Sequence, residues 1–141
     1  MKATLIESPE EHHWVLLDSR VTQLLIDPRS FRFQTWSLDA SLEVRIGAPF
    51  ALRLPSGVER TLDPEQTEGL APALGILRRP LQNLTITRRG ELTVAFGDGL
   101  TIVVRPHPRY EAWEVQGGGS LEGMVYTCDV GGGSPWGGER G

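Results

Sequence analysis

The histidines, the single cysteine and the clustered carboxylates are the side chains in this sequence that could do chemistry. His12 and His13 follow Glu10 and Glu11, a run that could open a metal site. Adjacent residues on an extended chain point to opposite faces, so the two imidazoles need a third ligand from elsewhere. His107 is distant in sequence, and the run reads as a polar N-terminal arm. Cys128 could be a nucleophile if His107 or His13 stood beside it as a base. No motif spacing places either one there, and a lone cysteine reads as a small buried hydrophobe. Gly97-Asp98-Gly99 and Gly131–Gly133 do not lie between a strand and a helix, the context in which glycines cradle phosphate. No catalytic residue, metal ligand or cofactor site is therefore assigned.

A recognition surface is the stronger expectation. Glu111 and Glu114 flank Trp113. On a strand, Glu111, Trp113 and Val115 would share one face, with Tyr110, Ala112 and Glu114 on the other. Tyr and Trp beside carboxylates suit a protein contact, and the competing reading places Trp113 and Tyr110 in the core. Charge is uneven along the chain. Residues 1–70 hold 7 basic and 11 acidic side chains, and residues 71–141 hold 7 of each, giving a net charge of −4. An acidic first half can steer a basic partner. The expected partner contacts are Glu7, Glu10, Glu11, Trp14, Asp18, Asp39, Tyr110, Glu111 and Trp113. Arg78-Arg79 and Arg88-Arg89 would form a small basic patch around one hairpin. Set in an acidic chain without interleaved aromatics, it does not argue for nucleic acid.

These residues must be positioned by strands. Leu42–Ile46, Phe50–Leu54 and Leu92–Phe96 alternate apolar and polar residues, and Leu100–Val104 is similar but more apolar. Further strands are expected over Val21–Ile26, Phe31–Trp36, Val58–Leu62, Leu84–Thr87, Tyr110–Val115 and Met124–Cys128. Asp27–Ser30, Pro55–Gly57, Arg88–Glu91 and Gly97–Gly99 read as hairpin turns, and Gly117–Gly119 as another turn. Asp63-Pro64-Glu65-Gln66 reads as a helix start, and Leu70, Leu74 and Leu77 fall at helical spacing. The expected fold is mainly β: an antiparallel β-sandwich or partly open β-barrel of about ten short strands with one short helix. At 141 residues the chain fits one domain, over 1–130, with a Gly-rich tail over 131–141 in which Trp136 docks back onto the body. One cysteine rules out an internal disulfide. No apolar run is long enough for a membrane helix and no secretory signal stands at the start, so a cytoplasmic location is expected.

The pieces Gly90-Glu91-Leu92, Phe96-Gly97-Asp98-Gly99, Tyr110-Glu111-Ala112-Trp113, Cys128, Gly131-Gly132 and Trp136 resemble a family of small, mainly actinobacterial proteins with a YEAW…C..GG…W pattern. The resemblance covers roughly residues 40–136. This chain departs from it after Cys128, where Asp129-Val130 replaces a proline-containing approach to the glycines. The family supplies no established activity. Its size and type imply an immunity-type partner of polymorphic toxins. The leading expectation is thus a non-enzymatic protein that neutralises a cognate toxin domain by direct contact, without nucleic acid or membrane. The alternatives are a small-ligand-binding β-barrel, using His107, Tyr110, Glu111, Trp113 and Cys128, and a homodimer or larger homo-oligomer built through edge strands.

Overall fold

In the computed structural model, which describes residues 1–136, the alternating segments form twelve strands. They are β1 (Lys2–Glu7), β2 (Glu11–Leu17), β3 (Val21–Asp27), β4 (Ser30–Trp36), β5 (Ala40–Ile46), β6 (Phe50–Arg53), β7 (Glu59–Leu62), β8 (Leu81–Thr87), β9 (Leu92–Phe96), β10 (Thr101–Val104), β11 (Trp113–Gly119) and β12 (Val125–Cys128). A seven-stranded sheet runs β1-β2-β8-β9-β10-β6-β7, and a five-stranded sheet runs β12-β11-β5-β4-β3. All the pairings are antiparallel. The molecule is a sandwich, and neither sheet closes into a barrel. The four hairpins expected at Asp27–Ser30, Pro55–Gly57, Arg88–Glu91 and Gly97–Gly99 all form.

The layers meet through the inward residues of each alternation. Phe33 of β4 packs edge-on against Phe96 of β9 at 5.6 Å, and Phe31 stacks with Phe50 of β6 at 5.8 Å. On β5, Leu42, Val44 and Ile46 are buried while Ser41, Glu43 and Arg45 are half-buried on the outer face. Side chains thus decide the face, and the face decides the layer.

One open side of the sandwich is sealed by a 3₁₀ segment over Thr67–Ile76, which runs against β3. The expected helix is present but its period is different. A 3₁₀ helix repeats every three residues, so Leu70, Ala73 and Ile76 are buried while Leu74 and Leu77 are exposed. Pro72 lies inside the segment, where its missing N–H and its ring disfavour α geometry. Asp63 does not cap a helix. Its carboxylate accepts the Glu65 N–H at 2.9 Å in a local turn.

Two further corrections concern the ends of the chain. The supposed polar arm is the β1–β2 hairpin. Gly117–Gly119 is not a turn but the end of β11, paired with Ala40–Leu42 of β5. The turn that follows folds back so closely that a Cβ on Gly117 would run into the Leu121 carbonyl, while one on Gly119, at φ +61°, would run into the Asp39 carbonyl of the β4–β5 connection. Gly117→Ala should therefore cost about 1–3 kcal/mol through forced displacement of backbone, measured by urea unfolding. Gly123→Ala, which would meet nothing within 4 Å, should shift it much less.

Candidate functional site

One end of the sandwich gathers the β1–β2 turn, the β8–β9 turn, the β10–β11 loop and the segment after β12. Arg88 N–H donates to the Glu10 carbonyl at 2.8 Å, and Gly131 N–H donates to the His107 carbonyl at 2.8 Å. Glu7, Glu10, Glu11, Glu91, Glu111 and Asp129 stand here beside Arg88, Arg89, Arg105 and Arg109. Two clefts flank the β8–β9 turn. One, of about 390 Å³, is lined by Glu10, Glu11, Thr87, Arg88, Arg89, Glu91, Arg105 and Pro106. The other, of about 460 Å³, is lined by Glu10, Arg88, Arg89, Gly133 and Ser134.

A polar cluster beneath this end ties the chain termini together. His12, Trp14 and Leu16 point inward from β2, and Tyr126 points inward from β12 between Met124 and Cys128. Trp14 Nε1–H donates to Tyr126 Oη at 2.9 Å, and Tyr126 Oη lies 2.8 Å from His12 Nδ1. An indole only donates, so the tyrosine oxygen accepts from Trp14 and shares a second hydrogen bond with His12 Nδ1. The other ring nitrogen, Nε2, faces the Glu7 carboxylate at 3.6 Å. Trp136 stacks on the imidazole at 3.9 Å, nearly parallel. Trp136 of the Gly-rich tail thus docks back onto the body, as expected. The rest of the expected tail, residues 137–141, lies outside the described residues.

Burial lowers the His12 pKa from its ordinary 6.5, against the Glu7 carboxylate, which raises it. A depressed folded value means that the unfolded chain binds the proton first. Stability is then greatest above about pH 6.5, falls as pH drops through that value, and levels off below the folded pKa. The melting temperature should drop on acidification from about pH 7.5 to about pH 5.5, and His12→Gln should flatten that part of the profile. Burial also raises the Tyr126 pKa, with the Trp14 hydrogen bond opposing it, so the hydroxyl keeps its proton throughout this range.

The expected contact residues separate into three groups. Glu7, Glu10 and Glu11 share the end just described, with Tyr110 and Glu111 exposed on its β10–β11 loop. Asp18 and Asp39 lie at the opposite end, near the start of β1, where the Met1 amino group lies 3.6 Å from Asp39. Seven residues of β2 hold the two acidic groups apart by roughly 20 Å. The Ser37 hydroxyl holds the Asp39 carboxyl below the usual range. The third group is turned inward. Trp113 is fully buried, and its Nε1–H donates to the Gly90 carbonyl at 2.8 Å. It cannot touch a partner of the folded protein. Trp14 is half-buried and turned inward to Tyr126.

The proposed arginine patch does not assemble, because Arg78-Arg79 and Arg88-Arg89 sit at opposite ends of β8. Cys128 is buried, and burial pushes its thiol pKa up, so it is not a thiolate at neutral pH. His12 and His13 point to opposite faces, His13 toward Thr85 Oγ1 at 2.8 Å. No group of three His, Cys, Asp or Glu side chains among the described residues could hold a metal ion. No described helix is long and apolar enough to cross a membrane.

A family model matches residues 15–134. The chain belongs to DUF6188, a family of unknown function. The matched DUF6188 stretch takes in Arg88, Arg89, Tyr110, Trp113 and Tyr126, while Glu7, Glu10, Glu11, His12 and Trp136 lie outside it. No curated protein and no solved structure matches the chain.

Proposed function

We propose that this DUF6188 member is a toxin-neutralising, immunity-type binding protein of the cytoplasm, acting by direct contact with a cognate toxin domain and without catalysis. The observation that supports this reading is the loop end. Four connections meet there over an ordered sandwich, and their exposed charges surround two open clefts. Such a surface offers a partner fixed shape and paired charges, which set specificity and association rate. The acidic residues Glu7, Glu10 and Glu11 would meet basic groups of the toxin domain, while Arg88 and Arg89 fix its register.

The test is co-expression with toxin-like C-terminal domains encoded beside this chain, read by native mass spectrometry. A 1:1 complex that weakens as salt rises is expected. Absence of any complex at about micromolar concentration, the range of even modest specific affinity, overturns the reading.

A second reading rests on another cleft at this end, of about 370 Å³, lined by Gly47, Pro49, Asp63, Glu65, His107, Pro108, Arg109 and Tyr110. His107 packs against Tyr110 at 4.7 Å and accepts the Arg109 N–H at 3.0 Å. Two of the five side chains expected for a ligand site are thus side by side, while Trp113 and Cys128 are in the core. A bound small ligand in native mass spectra of the purified chain would favour this reading.

A further inference from the structure

The outer face of the five-stranded sheet carries a site unconnected with the loop end. Cross-strand register places Gln34 of β4, Glu43 of β5 and Gln116 of β11 in one row, and Trp36, Ser41 and Gly118 in the next. A slot of about 160 Å³ opens among Gln34, Trp36, Ser41, Glu43, Gln116 and Gly117. Trp36 is 66% exposed, unusual for so large an apolar ring on a strand with a polar outer row.

The ring is held in place rather than loose. Trp36 Nε1–H donates to Gln34 Oε1 at 3.3 Å, and Gln34 Nε2–H donates to Glu43 Oε2 at 2.6 Å. Arg32 Nη1 lies 3.7 Å from Glu43 Oε1 and Arg32 Nη2 lies 3.7 Å from Asp27. This chain of partners fixes the indole and the carboxylate together. Beside Trp36 the neighbouring strand β5 carries only the small Ser41, and the next strand β11 carries Gly118, against which the Ser41 hydroxyl lies, so no bulky side chain on these two strands stands in this row. Ser41 Oγ and the Gln116 amide make no hydrogen bond among the described residues, leaving donors and acceptors free at the slot.

We infer that this slot binds a neutral carbohydrate, with one sugar ring laid on the Trp36 indole and its hydroxyls read by Glu43, Ser41 and Gln116. A π face is electron-rich and attracts the polarised C–H groups of a sugar's flat side. Carboxylate and amide oxygens accept from hydroxyls, and the amide and serine donate back, which matches the dual character of a sugar hydroxyl. The Glu43 carboxylate opposes phosphate and other anions. A proline-rich peptide also stacks on tryptophan, but its free backbone groups are carbonyl acceptors and it needs an indole donor. The Trp36 N–H is already committed to Gln34.

The test is NMR titration of the full chain, following the indole N–H resonances of the four tryptophans. The probes are cellohexaose, maltohexaose, mannohexaose and a proline decapeptide, each to about 10 mM, since single-ring sites bind near millimolar. Saturable movement of the Trp36 resonance by at least one oligosaccharide is expected, with Trp113 unmoved. Trp36→Ala should abolish the remaining sugar-induced backbone shifts, and Glu43→Gln should weaken binding about tenfold or more. Trp36 is exposed, and an unchanged Trp113 resonance reports that the variant is folded. No response to any of the three sugars, equal response in Trp36→Ala, or response to the proline peptide alone overturns the inference.

Discussion

Replacing Trp113 by alanine should lower the unfolding free energy by about 3–5 kcal/mol, among the largest single-residue losses expected in this chain. The indole starts β11, has no exposed surface and lies between the sheets. Alanine would remove its apolar contacts and leave a cavity that the surrounding strands can close only in part. It would also strand the Gly90 carbonyl, which accepts the indole N–H at 2.8 Å. Gly90 is itself buried at the tip of the β8–β9 turn, where a Cβ would meet Cys128 Sγ and Pro106 Cγ at 3.1 Å. One hydrogen bond therefore joins β11 of one sheet to the turn of the other, directly under the clefts. Trp113→Phe separates the two contributions. It keeps much of the volume but leaves the carbonyl unpartnered, for about 1–3 kcal/mol. Urea unfolding measures both variants. A loss below about 1 kcal/mol for alanine would show that the site collapses freely and that the indole does not join the layers.

The same residue shows what was legible in the sequence. The alternating segments of β5, β6 and β9 declare their faces by period two, and the Asp-Pro and Gly-containing turns declare the hairpins between them, whereas Trp113, expected among the partner contacts, is buried next to the equally buried Ala112. These are local signals, set by neighbours within a few residues. The rest depends on distant partners. His12 reads as polar and exposed until Tyr126 and Trp136 come from the other end of the chain to cover it. Gly117–Gly119 reads as a turn because glycine marks both turns and close approach, and only the returning Leu121 carbonyl and the Asp39 carbonyl ahead of β5 distinguish the two. Leu70, Leu74 and Leu77 fit a 3.6-residue period, but Ala73 and Ile76 fit the three-residue period that Pro72 favours. The contact residues fared similarly. Their chemistry was visible, while the division of Glu7, Glu10 and Glu11 from Asp18 and Asp39 follows from the length of β2 and the order of strands.

That division yields the second large effect, one of rate rather than stability. With the cognate domain as partner, the double substitution Glu10→Lys with Glu11→Lys should slow association roughly 10–100-fold at low salt. The paired substitution Asp18→Lys with Asp39→Lys makes the same change in net charge at the far end and should slow it far less. Comparing the pairs removes the contribution of overall charge, because only position differs. Dissociation should change little for either, since exposed rim charges act mainly on the encounter. Glu7 is left in place because it faces His12, and its loss would disturb the cluster beneath the surface. The difference between the pairs should shrink as salt rises, vanishing toward about 1 M, where the screening length falls to about 3 Å. Stopped-flow association at several salt concentrations measures all of this. Equal slowing by both pairs would mean that the partner responds to net charge alone, and faster association by the Glu10/Glu11 pair would place an acidic partner against Arg88 and Arg89. Either result moves the contact away from the acidic tip of the β1–β2 hairpin.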